Sequence, residues 1–110
     1  MIEETIARIE SRLQSTETLT QERRKELIGL LAQLKDEVSS LGLTHTEEAN
    51  SIAGYAETSV REATRQEVDP ELLRHSLDGL SLSVKRFEVS HPSLTGIINT
   101  IGRILWSIGI

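Results

Sequence analysis

The sequence predicts an all-α fold: a small antiparallel bundle of about five helices that self-associates. Three observations carry this. Five successive segments each hold an apolar stripe spaced alternately four and three residues apart, the signature of a helix pressed on other helices. Short polar stretches separate them, as in bundles with brief connections. The 110 residues include only two prolines and no long β-branched run, which favours helix over strand. One domain, 1–110, is expected, with N-terminal helices within 2–41, central helices within 46–88 and a C-terminal packing helix over 92–108.

The first helix, about 2–15, rests on Ile2, Ile6, Ile9 and Leu13. Glu3, Glu4, Arg8, Glu10 and Arg12 fill its solvated face. Thr20 is the expected N-cap of the second helix, with Glu22 in the first turn, where the helix dipole favours an acid. The second stripe is Leu27, Leu31, Leu34, Val38 and Leu41, and Gly42 is expected to end the helix at C′. The basic run Arg23-Arg24-Lys25 is flanked by Glu22 and Glu26 and reads as a solvated face.

Thr44 and Glu47 have capping-box spacing, so a third helix is expected over about 46–66. Its stripe, Ala49, Ala53, Ala56, Val60 and Ala63, is rich in small residues and lets a neighbour come close. Asp69-Pro70-Glu71 is the clearest helix start in the chain, with Asp at the N-cap and Pro at N1. The fourth stripe, Leu73, Leu77, Leu80, Val84 and Phe87, takes that helix to about Glu88, with Gly79 weakening its centre.

The last helix is the most apolar. Leu94, Ile98, Ile101, Leu105 and Ile108 form its stripe, with Ile97 and Ile104 beside it. Ser90 is the expected N-cap, Pro92 fits the first turn, and Val89 with Leu94 has the spacing of a hydrophobic staple. Burying these seven side chains contributes roughly 10–20 kcal/mol of transfer free energy before entropy is subtracted. Leu94, Ile97, Ile98, Ile101, Ile104, Leu105, Trp106 and Ile108 are therefore the candidate interaction residues, and Phe87, Ser90, His91 and Pro92 form a structural motif at the helix start.

Several functions are disfavoured. A net charge of −5 disfavours nucleic-acid binding through phosphate neutralisation. The absence of cysteine removes disulfides, thiolate nucleophiles and Cys-ligated metals. Met1-Ile2-Glu3-Glu4 does not read as a secretory signal, so a cytoplasmic location is expected. No Gly-rich phosphate loop or nucleophile elbow is present, and no enzyme activity or cofactor is expected. The histidines give weak leads. His45 with Glu48 and Glu71 with His75 lack the order and spacing of a carboxylate-bridged metal site, and His91 reads as a structural residue whose ring caps a backbone group or packs under Phe87. The glycines at 96, 102 and 109 read as close-packing positions.

The block Phe87-Glu88-Val89-Ser90-His91-Pro92-Ser93-Leu94-Thr95, with Asn99 and the closing Ile108-Gly109-Ile110, resembles a family of short bacterial proteins of unknown function. Asp69-Pro70-Glu71-Leu72-Leu73 and Leu19-Thr20 are similar to that family as well, while Trp106 departs from its pattern. The resemblance implies a bacterial, helical, cytoplasmic protein and supplies no activity. Three functional readings stand. The first is a non-enzymatic module that oligomerises or binds a protein partner. The second is a peripheral membrane factor anchored by the last helix, and the third a small metal-binding or enzymatic bundle.

Overall fold

The computed structural model describes residues 2–110 as five helices: α1 (Ile2–Ser15), α2 (Gln21–Leu41), α3 (Thr46–Ala63), α4 (Pro70–Lys85) and α5 (Pro92–Gly109). Its radius of gyration is 12.9 Å. One cluster of buried side chains joins all five, from Ile6, Ile9 and Leu13 of α1 to Leu94, Ile98 and Leu105 of α5.

α3 lies against each of the other four helices. Its buried residues explain how: Ala49, Ala53, Ala56, Ser59 and Ala63 are small, and only Ile52 and Val60 are bulky. Small side chains let several backbones approach one helix at once. α1 touches α2 and α3, and α5 touches α2, α3 and α4. Residue order runs in opposite senses along α3 and α4, where Glu48 meets Arg86 and Tyr55 lies over Gly79. A Cβ on residue 79 would stand 2.5 Å from Tyr55 Cε1, so the ring fills the space that the glycine leaves. The glycine that weakens α4 as a helix thus receives an aromatic side chain.

Two of the four expected caps form. The Thr20 side chain accepts from Arg23 N at 3.1 Å. Asp69 Oδ1 accepts from Glu71 N at 3.0 Å and Leu72 N at 3.3 Å, with Pro70 in the first turn. The other two are corrected. The N-cap of α3 is His45, and Thr44 Oγ1 donates backwards to Leu41 O at 3.4 Å, so no Thr44–Glu47 box is made. The N-cap of α5 is His91 rather than Ser90, and Val89 is 95% exposed, so it staples nothing. At both starts a hydroxyl one residue too early holds the histidine ring instead: Thr44 Oγ1 lies 2.8 Å from His45 Nδ1, and Ser90 Oγ 2.9 Å from His91 Nδ1.

Some helix ends also differ. α3 stops at Ala63 and α4 at Lys85. After α4 the chain tightens, with Phe87 N donating to Val84 O and Glu88 N to Lys85 O, which swings the Phe87 side chain inward. Gly42 is right-handed (φ −63°), not the left-handed C′ glycine expected; its use is room, because a Cβ there would meet Val38 O and Ile2 Cδ1. Of the three α5 glycines, only Gly109 is tightly packed, against Leu73, whereas Gly96 faces open space. Arg24 is not a solvated charge. Its guanidinium donates to Leu13 O, Thr16 O and Leu19 O, satisfying carbonyls at the end of α1 and in the turn after it.

Candidate interaction surface

α5 divides its apolar side chains between two environments. Leu94, Ile97, Ile98, Ile101, Ile104 and Leu105 are buried inside the chain's own core, and Ile108 is half-buried. These residues hold the bundle together, and the face expected to grip a partner is mostly occupied within the chain. Trp106 is different: it is 39% exposed, and Ile110 beyond it is 61% exposed.

Trp106 lies along a groove between α4 and α5 of about 280 Å³. Leu77 and Leu80 supply the α4 wall and Ile98 and Gly102 the α5 floor, with Ser81, Asn99 and Arg103 on the rim. The helical period explains the assembly. Asn99, Arg103, Trp106 and Ile110 are spaced four, three, four on the side of α5 away from its core stripe. Gly102 keeps the floor open, since a side chain there would project toward Leu77.

Arg103 is the charged residue in the lining of this groove. Arg74, Asp78, Ser81 and Lys85 form the exposed α4 stripe beside it, spaced four, three, four. Glu71 continues that stripe three residues before Arg74, so with Arg103 three cations stand beside two anions. Among the described residues Arg74, Lys85 and Arg103 have no carboxylate within ion-pair distance, and neither have Arg12, Arg24, Lys25, Lys35 and Arg61; Arg8, Arg23, Arg65 and Arg86 each have one. Arg103 donates only to Thr100 Oγ1, at 3.3 Å.

A second groove, of about 380 Å³, runs between α3 and α4 with Tyr55, Gly79 and Leu82 in its lining. It is more polar, and Arg86 and Glu48 pair across it at 3.0 Å. At the nearby helix junction Phe87 is buried between two imidazoles, edge-on to His45 at 5.4 Å and to His91 at 5.7 Å, with the Arg86 guanidinium 5.2 Å from its ring centre. His91 and Phe87 are thus in ring contact, and Ser90 Oγ lies against the His91 ring. His75 lies exposed on α4, apart from both. No group of three or more His, Asp or Glu is placed to hold a metal ion among the described residues.

The strongest electrostatic pair is remote from the groove. Arg8 Nε donates to Glu57 Oε2 at 2.7 Å, joining α1 to α3. The hydrogen bond from Arg8 holds the Glu57 carboxyl below the usual carboxylate range, although partial burial opposes the shift.

Sequence reasoning singled out Trp106 but missed Leu77, Ser81, Asn99 and Arg103 as its companions. The outer stripe of α5 was readable; its pairing with α4 was not. No helix among the described residues is long and apolar enough to cross a membrane.

Fold and surface together define a small all-α bundle with an apolar groove between α4 and α5 beside Trp106. Residues 29–110 match the family model of a domain of unknown function, DUF4404, and the chain belongs to that family. The match takes in most of α2 and all of α3, α4 and α5, and leaves α1 outside. No curated protein and no solved structure matches the chain.

Proposed function

We propose that the protein is a non-enzymatic, cytoplasmic interaction module that receives an apolar side chain of another protein in the α4–α5 groove. The single observation behind this is Trp106, a large aromatic half out of the core at the mouth of an apolar groove with a polar rim. Tryptophan is enriched, with tyrosine and arginine, among the residues that dominate binding energy at protein interfaces.

A photo-crosslinking residue placed at Asn99, with a control at Gln33 on the outside of α2, tests the reading in cells. Adducts to a distinct protein from position 99 and not from 33 are expected, and they disappear with Trp106→Ser. Equal adducts from both positions would refute it. Adducts to the chain itself would replace the partner with an oligomer.

A further inference from the structure

We infer that α1 is an exchangeable segment: the seat between α2 and α3 that it fills also takes the α1 of a second copy, and two chains pair by trading that helix. This surface is separate from the α4–α5 groove, and the inference does not rest on the docking reading above.

The seat is shaped and charged for α1. Ile6, Ile9 and Leu13 are the buried residues of α1, and they close over Leu31 and Leu34 of α2 and Ala56 and Val60 of α3. On the α3 side Arg8 Nε donates to Glu57 Oε2 at 2.7 Å and Arg12 Nε to Thr64 Oγ1 at 2.8 Å. On the α2 side Glu3 and Glu10 line a cleft with Lys35. α1 thus offers cations to α3 and acids to α2, and a helix reversed or slid by one turn would lose both matches. None of these contacts depends on which copy supplies α1, so a swapped pair keeps them.

α1 is also the most easily detached of the helices. It buries three residues, the fewest of the five, whereas α5 buries six. The packing beneath it is incomplete: a void of about 10 Å³ with wholly apolar walls remains between Ile9, Leu13, Leu27, Ala56 and Ile101. Side chains that border a void already lack partner atoms on one side, so fewer contacts are lost when α1 leaves. The family match, residues 29–110, contains Leu31, Leu34, Ala56 and Val60 but not α1. The seat therefore lies within the family domain and its occupant outside it. An emptied seat would leave those apolar side chains in water, which drives an opened chain to take up another α1.

Residues 16–20 form the hinge. Arg24 spans it from α2: its guanidinium donates to Leu13 O at the end of α1 and to Thr16 O in the turn. These bonds hold the turn closed and favour α1 in its own seat. Arg24 is the latch on the exchange.

The chain contains no cysteine, so single cysteines mark chosen sites. One copy carries Arg8→Cys and one tag, a second copy carries Glu57→Cys and another tag, and a short bismaleimide joins thiols within reach. With both cysteines in one chain, dilute protein should join within that chain, because the two positions meet across α1 and α3. When the two single-cysteine copies are held together at high concentration, a product with both tags should form and should rise with concentration. Arg24→Ala in both copies should raise its yield about tenfold, the effect of losing one hydrogen bond to a charged group. Helical circular dichroism tells whether that variant is folded, and the mixture with Arg24 intact decides the exchange without it. No two-tag product at any concentration, while the one-chain pair joins normally, would overturn the exchange. Equal product when Gln33→Cys, on the outside of α2, replaces Glu57→Cys would show side-by-side association and overturn it too. Failure of the one-chain pair to join would overturn the seat itself.

Discussion

Leu105→Ala should cost the bundle about 3–4 kcal/mol. Leu105 is fully buried, on the α5 stripe that meets α2, α3 and α4. The substitution removes three carbons, worth about 0.8 kcal/mol each by transfer. The space left between helices held by other neighbours collapses only in part and adds about 1 kcal/mol. Unfolding entropy near 2.1 cal/mol/K per residue makes the melting temperature fall by about 15 °C for a chain of this size. Thermal melts and urea titrations of the full chain read this directly. Leu43→Ala is the control: Leu43 is 85% exposed, and its loss should stay within about 0.5 kcal/mol. A fall of less than about 5 °C for Leu105→Ala, or equal falls for both variants, would show that α5 is not the inner wall of the bundle.

Other outcomes follow from positions where sequence and packing can be separated. Gly29→Ala and Gly96→Ala, at exposed helix-interior positions where a Cβ meets nothing within 4 Å, should each stabilise by up to about 1 kcal/mol in the same melts. Asp69→Ala should cost about 1 kcal/mol by releasing two backbone donors, whereas Ser90→Ala should cost less because Ser90 caps no backbone group of α5; urea midpoints compare them. Because the folded Glu57 carboxyl titrates below its ordinary value of 4.5, its contribution is complete above that pH and lost as pH falls through the folded value. Melts from pH 7 to pH 3 should therefore show a smaller acid loss in Glu57→Gln than in wild type, and added salt should narrow the difference, since Arg8 is exposed. Identical acid profiles would mean that the Arg8–Glu57 pair adds nothing to the fold.

The helices were legible because their signal is local and repeated. A stripe such as Leu94, Ile98, Ile101, Leu105 and Ile108 reports its own buried face, and the structure buries the first four and half-buries the last. Asp69-Pro70-Glu71 was legible for the same reason, since cap, proline and first-turn acid are adjacent. Thr44 and Ser90 misled because the turns before α3 and α5 place the N-cap one residue later, on a histidine whose backbone is set by bonds to residues further back. His45 N donates to Leu41 O and His91 N to Phe87 O, and neither contact has a sequence signature. Arg24 was misread likewise: its partners are carbonyls at the end of α1 and in the following turn, reached only once α1 and α2 are folded together. The groove lies one level further out. Nothing in α4 alone marks Leu77 and Ser81, and nothing in α5 alone marks Asn99 and Gly102. Only when the helices lie side by side does Trp106 acquire a facing wall in Leu77 and Leu80. Interior faces are encoded within each helix, whereas a groove is encoded between helices. A sequence read one segment at a time therefore yields the fold before it yields the surface between helices.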